Sequence, residues 1–514
     1  MPNVRRDVAS FGNSWSPATE WYARAVRALA AKPITDPTGW AFQAALHDID
    51  APGWQGYGIL PPGRLPTPAP QWNQCQHGNW YFPPWHRAYC AAFEAIIAKT
   101  IVSLGGPPNW ALPYWNYLDA TNPNSRRIPR VFTLATLPDG SPNPLRIMPY
   151  GAPGRPWPRQ FDVLAPHPPG IPTDINLAAM GLPRYTAAPG AQGFGGAPTA
   201  AGALERNPHN LVHIMIGGVT GNTGFMSDPD YAALDPIFWL HHCNIDRLWA
   251  AWMSVPSNIR ETGAAWSNGP AVPPFTLPDP NGVFRSFKPS QTLPGGPLAP
   301  TYDNLYRGTG IRPPLLRSAA VPAGLDDDAP TPAAVGAEAP GAAPAAAPAT
   351  SLVGANVTNT TVQPGQSIAA GLGLDSANVV PAGVGDGPPR YYLNVENVTG
   401  ETPSGLLTVH IGVKGQAKDA PGSADEFVDS LPLFGLKKAS DPDGKHGGNG
   451  LSMVLDITDA VASLQRNANA QLEDLEVTLT QPSSGEDGAA PISVGRVSVY
   501  TAAGEAPDDG ADED

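Results

Sequence analysis

Residues His77–Arg87 read HGNWYFPPWHR, two imidazoles flanking an aromatic, doubly prolyl loop. The chain has only ten histidines in 514 residues, so two so close together need a reason. Pro83 and Pro84 punctuate the loop, and WHRAYCAAFEAIIAK then reads as a helix. Its apolar stripe is His86, Cys90, Phe93 and Ile97, which turns His86 inward with the core and Arg87 outward.

Working outward, the same pattern recurs on other segments. GWAFQAALHDI reads as a helix with Trp40, Ala44 and His47 on one face. NPHNLVHIMIGG opens at Asn207 as N-cap with Pro208 in the first turn, and Gly217 and Gly218 stop it. His209 and His213 stand one turn apart on its face. DPIFWLHHCNIDRLWAAW is a fourth helix, with Asp246 one turn beyond His242. Six of the ten histidines therefore point inward from four helices or their approaches. Buried imidazoles need partners. A shared metal centre supplies them, and all-imidazole ligation suits copper, zinc, iron or nickel. Six ligands exceed one tetrahedral site, so two ions with three histidines each is the natural arrangement.

Composition bounds the rest. A net charge of −14 argues against a nucleic-acid surface or a polybasic membrane patch. With 63 Pro, 55 Gly and only 15% charged residues, the chain is expected to be loop-rich and partly of low complexity. No apolar run has transmembrane length, and the start, MPNVRRDVASFGNSW, lacks a signal-peptide core. Three cysteines do not make a disulfide framework. A cytoplasmic location is the simplest expectation, with export alongside a partner protein left open.

Four regions are expected. Residues 1–317 hold most of the tryptophans and histidines. Residues 318–350 form an Ala/Pro-rich linker whose typical span is on the order of 30 Å. Residues 351–502 alternate in short β-like runs such as RYYLNVENV and LLTVHIGV, which suggests a small antiparallel sandwich. Residues 503–514 form an acidic tail expected to be disordered.

The motifs now carry a specific resemblance. His77, Phe82, Trp85, His86 and Arg87, with Glu94 beyond, resemble the first copper signature of the tyrosinase, catechol oxidase and molluscan haemocyanin family. DPIFWLHH followed by Asp246 resembles its second signature. The resemblance covers about residues 3–315 and implies a mainly α catalytic domain, a four-helix bundle around a pair of copper ions, followed here by the small antiparallel β-sandwich. It implies that His47, His77 and His86 hold one copper and that His209, His213 and His242 hold the other. In the doublet the family's ligand is the second histidine. Adjacent helical positions diverge by about 100°, so His241 is expected to pack beside the centre rather than bind the same ion. Asp246 is expected to accept a hydrogen bond that orients an imidazole. Cys90 stands where the family usually has an aliphatic residue.

The resemblance also implies chemistry. Family members use dioxygen to hydroxylate monophenols or to oxidise ortho-diphenols to ortho-quinones, so the partners are small phenols and dioxygen. Phe238 and Ile214 are candidates for the substrate pocket. Cys75, two residues before His77, resembles the site of a cysteine–histidine thioether in fungal tyrosinases and molluscan haemocyanins. Glu205 and Asn210 resemble the pair that holds a proton-accepting water in plant polyphenol oxidases. Glu205 could equally complement a helix start. The C-terminal region resembles the shielding domain of latent plant enzymes. There LPLFGLKKASDPDGKHGGNG, residues 431–450, is a candidate plug with an apolar tip at Leu433 and Phe434. An oxygen carrier of haemocyanin type, an ortho-aminophenol oxidase and a binuclear zinc hydrolase are the other readings. The last would usually add bridging carboxylates, and the ligand motifs contain none.

Overall fold

The computed structural model describes residues 3–146, 161–165, 173–219, 223–270, 273–305, 349–356, 359–379, 387–415, 425–482 and 490–504. Most of the Ala/Pro-rich linker at 318–350 and nearly all of the acidic tail at 503–514 lie outside these residues.

The N-terminal part is helical where its sequence is apolar and periodic. Helix α1 (Pro17–Ala30) starts on a Ser16–Thr19 capping box. Helix α2 is Trp40–His47, α3 is Phe82–Ser103, α4 is Leu211–Gly217 and α5 is Pro236–Met253. Asp235 caps α5 by accepting from the Ile237 N–H (3.1 Å), and Pro236 fills the position whose N–H would have been unpaired anyway. Helix α4 ends at Gly218, where the chain turns through φ 82°. Ahead of α4, Asn207 departs from helical geometry (φ −143°, ψ 121°), as an N-cap should. Its side chain leaves the helix uncapped and ties in the neighbouring loop, accepting from the Asn176 N–H and donating to the Asp174 carbonyl.

Helices α3 and α5 pack through a dry aromatic seam. Phe93 and Trp239 stack at 3.5 Å, and Tyr89 and Trp40 close around them. Helix α5 is buried along nearly its whole length, which explains why its sequence is apolar on every face. No helix among the described residues is long and apolar enough to cross a membrane.

Beyond residue 349, nine described strands form two packed sheets. They are β1 (Thr350–Asn356), β2 (Thr360–Val362), β3 (Ser367–Ala370), β4 (Gly387–Gly400), β5 (Leu406–Val413), β6 (Asp425–Pro432), β7 (Leu451–Asp456), β8 (Leu475–Thr480) and β9 (Ile492–Gly504). One sheet runs β7-β4-β9-β1 with β2 also on β9, and the other runs β6-β5-β8-β3. Pairing within both sheets is antiparallel, and Leu393, Val395, Val409, Val477 and Val499 alternate into the layer between them. The last strand reaches Gly504, so Ala503 and Gly504 belong to the sheet rather than to the acidic tail. A short helix, α6 (Leu436–Ser440), follows β6, and α7 (Thr458–Ala468) follows β7.

Two expectations on α3 and α5 need correction. Arg87 is buried, not exposed, and its Nε bonds Asp246 across the helix pair. Asp246 does not orient an imidazole. Its second oxygen accepts from Arg5 Nη1 (3.1 Å) and from the Tyr302 hydroxyl (2.6 Å), so both oxygens are taken. Arg5 also reaches Glu94 (2.7 Å), while Arg87 donates to the Thr292 carbonyl and lies over the Trp249 ring. The carboxylate is thus the hub that joins the N-terminus, α3, α5 and the segment near residue 302. Removing it leaves Arg87 buried without a carboxylate, while Arg5 keeps Glu94. Asp246→Ala should therefore cost about 3–5 kcal/mol of stability, read by denaturant unfolding, and clearly more than Arg87→Met/Asp246→Leu together.

Candidate metal centre

Two groups of side chains meet between these helices, His47, Cys75, His77 and His86 in one and His209, His213, His241 and His242 in the other. Every one is buried. His47 is the last residue of α2, His86 lies in the first turns of α3, and His77 sits on the loop before it. His209 and His213 come from α4 and its irregular approach, and His241 and His242 from α5.

Main-chain carbonyls fix three of the rings. His47 Nδ1 donates to Pro229 O (2.9 Å), His86 Nδ1 to Phe82 O (2.8 Å) and His213 Nδ1 to Met226 O (2.7 Å). His209 Nδ1 donates to the Asn210 amide oxygen (2.8 Å). Each bond places the proton on Nδ1 and leaves the Nε2 lone pair facing the centre. Burial pushes the pKa of all these imidazoles down, that of His213 to about 3. They are therefore neutral and able to ligate.

The spacing fits metal binding. His242 Nε2 lies 3.4 Å from His209 Nε2 and 3.4 Å from His213 Nε2. Three nitrogens at about 2.0–2.1 Å from one ion, at tetrahedral angles, stand about 3.3–3.4 Å apart. In the other group, His47 Nε2 is buried with no hydrogen-bond partner. A buried lone pair without a donor costs free energy unless an ion takes it up.

His241 comes nearer than the helical angle suggested. Its nitrogens fall within 4.8 Å of those of His209, His213 and His242. It stacks on His209 (5.2 Å) and lies beside Tyr117 (5.7 Å), with both nitrogens unpartnered. It takes no part in the 3.4 Å contacts.

Cys75 Sγ lies 3.3 Å from His77 Nδ1, 3.7 Å from His77 Nε2 and 3.4 Å from His86 Nε2. Burial pushes the Cys75 thiol up, so it remains protonated. Glu205 accepts from the Gly78 N–H (2.7 Å) and keeps its other oxygen buried and unpartnered. Burial raises its pKa to about 8, against the lowering effect of the Gly78 bond. Asn210 does not keep both amide ends for a water, because its oxygen is engaged by His209. Phe238 packs beside His242 (4.1 Å) and edge-on to His47 (5.0 Å), and Ile214 is buried on α4.

The structure gives roles to further residues that the sequence did not assign at the centre. Phe82 bridges the two groups, 4.6 Å from His86 and 4.5 Å from His209. Phe434 stacks on His213 (4.1 Å, 20°) and meets His77 edge-on (5.3 Å). The plug segment was visible in the sequence, but not which of its residues enters. Asp48 and Asp230 receive Lys438 from α6 (3.4 and 2.7 Å), and Asp48 also faces Lys445 (3.5 Å). The position of Asp48 directly after His47 was the one available signal.

Comparison with known proteins places these observations. The family described as the common central domain of tyrosinase matches residues 37–162 and 182–255, and a domain family of unknown function matches 344–502. A tyrosinase of a Hahella species is 32% identical over 514 residues, covering 94% of this chain and 96% of that protein. Chloroplastic polyphenol oxidase II of Ipomoea batatas is 30% identical over 256 residues, 46% of this chain and 39% of that one. The fold resembles latent apple tyrosinase (TM-score 0.56, 19% identity, 98% of both chains) and latent aurone synthase (TM-score 0.57, 19% identity, 98% of this chain and 90% of that one).

The nitrogen spacing separates the two members of the doublet. His242→Ala should lower the metal content by one ion per chain, whereas His241→Ala should keep both, measured by elemental analysis of purified protein. The reverse result would exchange their roles.

Proposed function

The chain belongs to the tyrosinase family, and from that premise we propose that it oxidises ortho-diphenols to ortho-quinones and also hydroxylates monophenols, in a form kept latent by its C-terminal region. It is an oxidoreductase of the tyrosinase and catechol oxidase type, and its cofactor is a pair of copper ions. Bound copper supplies the two-electron chemistry between a phenol and dioxygen. In this reading His47, His77 and His86 hold one ion, and His209, His213 and His242 hold the other. The convergence of three neutral Nε2 atoms at 3.4 Å is the observation that carries it.

The protein's own groups handle the phenol and its proton. Phe82 and Phe238 brace the imidazoles and keep water from the rings. Glu205 takes the phenolic proton, through one water, on its unpartnered oxygen. With a pKa near 8 it accepts and releases a proton at little cost in mildly alkaline solution. Asn210 holds the His209 ring through its oxygen and has its amide nitrogen left for that water.

Cys75 and His77 are proposed to be covalently joined. The carbon Cε1 is the ring atom bonded to both nitrogens, and Sγ lies within 3.3 and 3.7 Å of those two. Joining Sγ to Cε1 removes one hydrogen from each, and dioxygen accepts the two electrons and two protons. The link would limit rotation of the one histidine of its group held by a loop.

Latency rests on Phe434. Its ring lies against His213, His77 and His209, where a phenol ring would have to bind. Arg206, next to Glu205, pairs with Asp429 on β6, so the strand that leads to Phe434 is tied to the segment carrying Glu205.

Oxygen uptake with catechol tests the whole reading. Wild-type holoprotein should be slow, and Phe434→Gly, or brief exposure to mild detergent, should raise the rate several-fold at constant copper content. No gain in either case would remove the plug, and no uptake at all would remove the oxidase. Glu205→Gln in the Phe434→Gly background should depress tyramine hydroxylation far more than catechol oxidation. For the thioether, the peptide spanning Cys75 and His77 from oxygen-exposed copper protein should be lighter by two hydrogens and resist alkylation. A fully alkylatable Cys75 would rule it out.

A further inference from the structure

The segment that closes the site brings more than a ring. Phe434 lies face to face with His213, and four residues later Lys438 sets its ammonium 2.7 Å from Asp230 and 3.4 Å from Asp48. Between them Gly435 passes over Pro229, where an added Cβ would lie 3.2 Å from the proline ring. Pro229 is the residue whose carbonyl receives the His47 proton, and Asp230 follows it directly. Asp48 directly follows His47 and is almost fully buried. The acidic rim thus adjoins the copper site on the side along which the plug leaves it. Lys445 adds a second ammonium, donating to the Cys75 carbonyl and facing Asp48.

A ring at the imidazoles and an ammonium at the acidic rim, on one short segment, are the two groups that an arylalkylammonium ion carries. We infer that the opened enzyme favours phenols whose side chain carries a cationic amine, the amine taking the place of Lys438 beside Asp230 and Asp48. This rests on the phenol-oxidase reading with Phe434 as plug. The physical reason lies in what the plug leaves behind. When Lys438 withdraws, Asp230 loses its lysine and Asp48 keeps only Lys445, with Asp228 close beside them. Partly buried carboxylates without counter-charge are costly, and an incoming ammonium relieves that cost. A phenol bearing a carboxylate meets like charge at the same place.

The test uses full-length copper protein opened by Phe434→Gly with Lys438→Ala. Dopamine, dihydrocaffeate and methylcatechol share one diphenol and differ in charge, positive, negative and neutral. The kcat/KM for dopamine should exceed that for dihydrocaffeate several-fold, mainly through KM, and added salt should narrow the gap. Asp230→Asn in the opened protein should shrink the ratio, and Asp230→Glu should restore it. A ratio near one, or one that Asp230→Asn leaves unmoved, overturns the inference. Failure to oxidise methylcatechol would instead mark the oxidase reading as wrong. A variant no faster than the natural sequence on methylcatechol would mark the plug reading as wrong. If the variant folds poorly, the same ratio is read on the natural sequence opened with mild detergent.

Discussion

Seven histidines can share a buried interior only if each is neutral. That constraint organises the catalytic part of this protein. Burial, with the neighbouring imidazoles and Lys445 adding to it at most of them, depresses every imidazole pKa in the cluster. The Nδ1 protons of His86, His213 and His47 go to main-chain carbonyls at Phe82, Met226 and Pro229. Apart from His86 Nε2, which faces the Cys75 thiol, the Nε2 atoms of these rings meet no protein donor outside the cluster. They converge instead, and a pair of ions is the partner that satisfies them. The bundle is arranged to deliver these nitrogens, with α3 and α5 crossing on a stacked Phe93–Trp239 pair and Phe82 and Phe238 wedged against the rings.

A second node secures that arrangement away from the metals. Asp246 joins two buried arginines and a tyrosine, and it binds the chain's first residues to both ligand helices. Its position one turn beyond His242 suggested a role at the centre. The structure gives it the task of fixing the helix on which His242 rides. Its side-chain oxygens accept from Arg87, Arg5 and Tyr302, and no imidazole reaches them.

Much of this was legible in the residues. Helical periodicity, prolines at helix starts and glycines at their ends located the four ligand helices, and the inward histidines pointed to two ions. The alternating runs after residue 350 gave the two sheets. What stayed hidden was long-range. Arg87 follows His86 and would be outside on a free helix, yet it is inside because Asp246 arrives from a segment 159 positions away. His241 looked turned aside because the angle between neighbouring helical positions says nothing about how far an imidazole arm reaches. The rim at Asp48 and Asp230 could not be seen because its lysines come from the far end of the chain. Leu433 and Phe434 were equal candidates as the plug tip, and only packing separates them, since Leu433 joins the sandwich core while Phe434 joins the catalytic one.

The distance along the chain between centre and plug has a consequence for synthesis. Phe434 follows His242 by about 190 residues, so a ribosome adding about 5–20 residues per second makes the last imidazole about 10–40 s before the phenyl ring. N-terminal domains fold as units while the rest is still being made. On the proposed reading of Phe434 as plug, each new molecule passes through an interval in which its histidine cluster can assemble before the phenyl ring exists to cover it. That interval is the natural time for ions to enter.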